Sequence, residues 1–157
     1  MIKQLGYRGY ISSRPSANGR VPQHVQNLVI RDYCATNNFN FLLSAVEYAM
    51  PNSFIMLEQV IKEAVNNQGL VMYSLFQLPQ NAASRNRIYN LVMDNQIELH
   101  MAVEGLVVKD KESVQRVEDI WLVHQTLYGD NGNTTRNTSS VKRTAMNIFG
   151  FGGYGRN

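Results

Sequence analysis

A chain of 157 residues, 44% of them hydrophobic and with a mean hydropathy of -0.28, is long enough to bury one core, and it holds no apolar run near the ~20 residues a membrane helix needs. One cysteine and three dispersed histidines exclude a disulfide framework and leave neither a metal centre nor a cofactor expected. The net charge of +3 is uneven. From Asn131 onward stand Arg136, Lys142, Arg143 and Arg156 with no acidic residue, and the 15 basic residues less these 4 leave 11 against 12 acidic ones in the body. The body thus carries no charge signature of nucleic-acid binding.

The N-terminus has no apolar segment followed by a small-residue cleavage site, so the cytoplasm is the expected location. Residues 5–13, aromatic and β-branched, predict a first strand that breaks at Ser12-Ser13-Arg14-Pro15. Pro22 suits a first helical turn, and Val25, Leu28 and Val29 follow helical spacing, so a helix is predicted over 22–36. Asn37-Asn38 ends it, since asparagine accepts the left-handed conformation of a helix exit.

The apolar run 40–46 predicts a buried second strand, and Glu47 to Ser53 a loop. A second helix carries Phe54, Leu57, Val60, Ile61 and Ala64 on one face. Leu70 to Phe76, almost wholly apolar, predicts a third and central strand. A helix over about 82–95 turns Ile88, Leu91 and Val92 inward, and 97–103 predicts a fourth strand. A last helix, Lys111 to about Tyr128, aligns Val114, Val117, Ile120, Trp121 and His124. Alternation of strands with helices of about a dozen residues predicts a three-layer α/β/α fold with a mainly parallel four- or five-stranded sheet and a C-terminal helix. Residues 1–129 are expected to form one domain and 130–157 a flexible Gly/Asn/Ser/Thr-rich basic tail.

The carboxyl end of a first strand is a favoured ligand position in such folds. Ser12, Ser13, Arg14 and Arg20, with Gln23 and His24 at the start of the first helix, offer hydroxyls and guanidinium forks suited to phosphate or carboxylate. Against this stands an ordinary polar turn with surface arginines. Glu47, past the second strand on the same edge, could act as a base or pair with Arg14, or could be a solvated loop acid. His100, within a strand, suits a satisfied structural role. Cys34 lies late in its helix, far from the N-terminus that would activate a thiol, and is expected to be structural.

Gly9-Tyr10-Ile11-Ser12-Ser13, Val25-Gln26-Asn27-Leu28, Arg31-Asp32-Tyr33-Cys34, Glu47, Leu70-Val71-Met72-Tyr73 and Glu104-Gly105-Leu106 resemble, in order, the catalytic domain of serine recombinases. That resemblance implies a resolvase-like fold. The family's Tyr-x-Arg-x-Ser strand, aligned from Tyr10, puts its arginine on Ser12 and its nucleophilic serine on Arg14. Ser13 is a serine one place early, and a one-residue shift faces the other way on a strand. The family's later arginine pair falls on Phe76-Gln77-Leu78-Pro79-Gln80, where glutamines cannot supply the electrostatic term. DNA strand transfer is therefore not expected.

A second, longer resemblance rests on Gly9 to Pro15, Arg20 to Asn27, Ile30 to Cys34, Leu43-Ser44-Ala45 and Glu47 to Pro51. These strings are similar to the sporadic carbohydrate cluster protein family of bacterial surface-polysaccharide and lipopolysaccharide gene clusters. Membership implies a pathway and no particular reaction. The expectation is a protein that binds a nucleotide-sugar or sugar phosphate at the carboxyl end of strand one. The alternative is a non-catalytic interaction protein of the same pathway that forms a homodimer through the 111–128 helix.

Overall fold

The structure, a computed structural model, describes residues 6–64 and 69–129. Contacts divide the chain into two compact units, one ending at Ser113 and one beginning at Val114. The first unit holds β1 (Tyr7–Ser12), α1 (Gln23–Thr36), β2 (Phe41–Glu47), α2 (Ile55–Glu63), β3 (Gly69–Met72), α3 (Ala82–Asp94), β4 (Glu98–Met101) and β5 (Leu106–Val108), and α4 (Lys111–Tyr128) runs into the second. The sheet order is β2-β1-β3-β4-β5, parallel except for β5. The mainly parallel α/β fold expected from the sequence is the one observed, in its five-stranded form. The expectations for the 130–157 tail lie outside the described residues.

This order fixes where a ligand can sit. From β1 the chain steps one way to β2; from β2 it crosses back over β1 to β3 and then on to β4. Right-handed crossovers therefore set α1 on one face of the sheet and α2 with α3 on the other. The direction reverses between β1 and β3, and loops leaving their carboxyl ends part to opposite faces, opening a crevice.

The faces are told apart by alternation. Tyr7, Ile11 and Val71 pack with Ile30 and Cys34 of α1, whereas Tyr10 reaches toward the start of α2 through Glu47. β3 is buried along its whole length, as its apolar sequence requires of a central strand.

Several boundaries differ from expectation. β3 stops at Met72, and Leu75–Gln77 form a short 3₁₀ turn instead of continuing the strand. Ser74 is the cause: its hydroxyl accepts from the Phe76 N–H at 3.2 Å, and Gln77 Oε1 accepts from the Tyr73 N–H at 3.1 Å, so local side chains take the ladder's donors. Glu47 is the last residue of β2, not a loop residue. The buried stripe of α1 is Gln26, Ile30 and Cys34, while Leu28 is 66% exposed. Asn38, at φ 57°, supplies the left-handed exit after α1.

In α4 the buried residues are Val117, Ile120, Trp121 and Val123, and the His124 ring lies 5.1 Å from that of Tyr128. No helix among the described residues is long and apolar enough to cross a membrane.

Candidate functional site

The crevice predicted by the strand order is present as a cleft of about 720 Å³. Three loops build it. The β1 exit contributes Ser12, Arg14 and Ser16, the β2 exit Asn52 and Phe54, and the β3 exit Phe76, Gln77, Gln80, Asn81 and Ser84. Ser16 and Gly19 close a tight turn with backbone bonds of 2.8 and 3.1 Å, and Gly19 holds φ 106°, where a side chain would be strained. The Ala17 N–H then reaches the Phe76 carbonyl at 3.3 Å and ties the first loop to the third.

The floor is an amide relay. Gln26 sits on the buried stripe of α1, where a polar residue must find partners. Its Oε1 accepts from the Ser12 N–H at 3.0 Å and from Gln77 Nε2 at 2.7 Å, and its Nε2 donates to the carbonyls of Ser12 and Val21. Gln77 is thereby committed inward. Behind it Glu104 accepts from the Ser74 hydroxyl at 2.6 Å and the Leu75 N–H at 3.1 Å, and burial holds its carboxyl above the ordinary range.

Arg14 supplies the charge. Its guanidinium lies 3.7 Å from the centroid of the Phe54 ring, donates to the Ser53 carbonyl, and donates to the Tyr10 hydroxyl at 3.3 Å. No carboxylate among the described residues pairs with it. Glu47, 1% exposed, is held below: it accepts from the Met56 and Leu57 N–H groups at 3.3 and 3.0 Å and from the Tyr10 hydroxyl at 3.3 Å. Two backbone donors at the start of α2 suit a carboxylate.

Of the residues singled out in the sequence, Ser12 and Arg14 line the cleft, and Glu47 lies beneath it joined through Tyr10. Ser12 is buried and accepts from the Arg14 N–H at 3.3 Å; the half-buried Ser13 donates to the Glu47 carbonyl at 3.4 Å. Arg20, Gln23 and His24 are not among the lining residues, and Arg20 and His24 are exposed. Sequence reasoning missed Tyr10, Gln26 and Phe54. Gln26 had a legible signal, four residues before Ile30 and eight before Cys34 on one helical stripe.

A second polar cluster stands at the other end of the sheet, on the α1 face. Tyr7, Gly69 and Glu98 lie in one row across β1, β3 and β4. The Tyr7 hydroxyl donates to Glu98 Oε2 at 3.1 Å, His100 Nε2 meets the same oxygen at 2.9 Å, and His100 Nδ1 meets the Tyr33 hydroxyl at 2.8 Å. Phe39 stacks on Tyr7 at 4.0 Å. Burial, with Glu98 adding to it, pushes the Tyr7 hydroxyl up to about 12, and burial holds His100 below its usual value despite the carboxylate. Burial would raise Glu98, but hydrogen bonds from His100 and Tyr7 outweigh it and bring the carboxyl down. Burial also raises Cys34 and so keeps it a thiol, as a structural cysteine requires.

No protein-family model matches the chain, and no curated protein matches it. Its fold is similar to that of the N-terminal catalytic domain of TP901-1 integrase, at TM-score 0.56 and 11% identity over 76% of this chain and 95% of that one. It is similar also to a resolvase family site-specific recombinase from Streptococcus pneumoniae, at TM-score 0.55 and 12% identity over 77% of this chain and 89% of that one. Identities this low establish a resolvase-like fold and nothing about the reaction.

Proposed function

We propose that the cleft binds a small anionic carbohydrate derivative, a sugar phosphate or nucleotide-sugar, and that the protein serves bacterial surface-carbohydrate synthesis in the cytoplasm. One observation carries this: Arg14 is the single ionisable side chain among the described residues lining the cleft, and the rest of the wall is amide, hydroxyl, proline, aromatic and aliphatic, the last from Ala17, Ala49, Met50 and Leu78. Amides and hydroxyls answer the hydroxyls of a sugar, and one guanidinium with donors to spare answers one phosphate. About 720 Å³ lies within the range of small-molecule sites. The strings resembling the sporadic carbohydrate cluster family support the pathway.

The resolvase-like fold favours a second use of the same cleft, for a DNA phosphate. Strand transfer gathers several cations around the phosphate, and here the lining holds Arg14 alone, with Gln77 and Gln80 where the recombinase resemblance sets arginines.

Calorimetric titration with glucose 1-phosphate, UDP-glucose, inorganic phosphate and a short duplex decides between them. Saturable binding of the sugar phosphates is expected, weakened about 10- to 100-fold by Arg14→Gln, as the loss of a charge-assisted hydrogen bond predicts. No binding of either sugar ligand overturns the proposal. Nicking of supercoiled plasmid with a covalent serine adduct would establish the recombinase use instead.

A further inference from the structure

We infer that Tyr10 is the positioning residue of the cleft: its hydroxyl, held by Glu47, orients the Arg14 guanidinium toward the ligand without neutralising it. The inference rests on the anion-binding use of the cleft and adds to it how the cation is aimed.

The geometry carries it. Tyr10 is fully buried, in the middle of the sheet, on a strand hydrogen-bonded on both sides. A tyrosine in such a place must spend its hydroxyl on partners, and this one has two, Glu47 Oε2 and Arg14, each at 3.3 Å. Only one arrangement satisfies all three groups. Carboxylate oxygens only accept and guanidinium nitrogens only donate, so the hydroxyl gives its proton to Glu47 and accepts from Arg14. Burial, followed by the Glu47 charge, raises the phenol far above its ordinary value and outweighs the opposing pull of Arg14, so the proton stays on the oxygen.

The carboxylate cannot leave this post. Its two oxygens also hold the Met56 and Leu57 N–H groups, so a swing to pair directly with Arg14 would strand two donors at the start of α2. A neutral hydroxyl thus stands where an ion pair would otherwise form. Arg14 is fixed by three contacts, Tyr10, the Ser53 carbonyl and the Phe54 ring, that take two of its five N–H donors and none of its charge. A direct bidentate pair with a carboxylate would have consumed the fork that a phosphate needs.

The test is a thermodynamic cycle on Tyr10→Phe and Arg14→Gln, read with glucose 1-phosphate, joined to nitrogen-15 relaxation of the Arg14 Nε–H in the free protein. Tyr10→Phe keeps the ring and removes only the hydroxyl. It is expected to weaken binding roughly three- to tenfold, the range for one lost hydrogen bond, and to do nothing further in the Arg14→Gln background. In the free protein the Arg14 Nε–H should pass from ordered to mobile. Equal weakening in both backgrounds would show a packing role and overturn the inference, as would an Nε–H whose order is unchanged. Binding that ignores Arg14→Gln would instead defeat the anion-binding use itself, whatever the relaxation shows. Should Tyr10→Phe fail to fold, Phe54→Leu removes another of the three contacts, at a half-buried site. With the Tyr10 hydroxyl still in place, the Nε–H should stay ordered in that variant, and mobility there counts against the inference.

Discussion

The two polar clusters of the first unit are built from the same materials, tyrosines and a carboxylate with one basic side chain, at opposite ends of the strands. At the β1 and β3 exits, Tyr10 and Glu47 spend their hydrogen bonds so that Arg14 keeps donors and charge facing a cleft. At the amino ends, Tyr7, Glu98, His100 and Tyr33 spend theirs on each other: both ring nitrogens of His100 are bonded and the rings of Tyr7, Tyr33 and Phe39 surround it. A ring protonated at Nε2 alone satisfies both partners. The difference lies in the balance of donors and acceptors. A closed network holds a core together, and one with N–H donors left over on a cation is available to bind.

The strongest way to break the closed cluster is at Gly69, which lies between Tyr7 and Glu98 in the row. A Cβ there would stand 2.2 Å from the Glu98 carbonyl oxygen, a backbone atom that cannot step aside. Gly69→Val is expected to cost about 3 kcal/mol or more, or to prevent folding, read by urea denaturation. Full stability in that variant would show that β3 and β4 can part there.

His100→Gln comes next, with a loss of about 2–4 kcal/mol in urea from an ill-filled site and unsatisfied partners, while glucose 1-phosphate affinity stays unchanged. The same residue sets a pH dependence. His100 folded binds a proton less readily than unfolded, so its contribution is complete above the unfolded value near 6.5 and is lost as pH falls below it. Tyr33, Cys34, Tyr7 and Lys109 are the other titratable groups around it or its carboxylate. Glu98, lowered in the fold, has its contribution complete above about 4.5 and loses it as pH falls further. Glu104, raised by burial, works oppositely, its contribution fading as pH rises above about 4.5. On acidification from 7 to 5 the His100 contribution is lost and that of Glu104 grows, while His124, also held below its usual value by burial, adds to the loss. The His100 share is the difference in melting-temperature slope between the wild type and His100→Gln, with the variant losing less. Equal slopes would remove His100 as the cause.

The smallest effect tests the limits of the open cluster. Arg20→Ala and His24→Ala, both exposed and outside the lining, should change stability by less than about 0.5 kcal/mol and anion affinity by less than about twofold. A larger loss for Arg20→Ala would extend the site along the β1–α1 loop.

The strand-and-helix order was legible because each element is short and apolar along one face or throughout, and the order in turn located the crevice. Arg14 was legible from its place past β1. What escaped were positions where a polar residue sits on a buried stripe. Reading α1 by its apolar residues chose Val25, Leu28 and Val29, one residue off the true stripe, because Gln26 hides in it. In α3 the buried side includes Arg85 and Tyr89, for the same reason. Tyr10 entered the sequence reading as a strand residue and the start of the recombinase alignment, without a partner, since nothing local foretells that Glu47, 37 residues on, will stand at its hydroxyl.

The Gln26 relay also sets a timetable. Its Oε1 is shared between Ser12, 14 residues earlier, and Gln77, 51 residues later. As synthesis proceeds, β1, α1, β2 and α2 can emerge and begin to pair, but the cleft floor then lacks one of its three members. Closing it waits for β3 and the 3₁₀ turn to dock, a contact whose loop entropy is spent late. A nascent chain ending before Gln77 would therefore have Arg14 and Phe54 but no cleft in which they could meet a ligand.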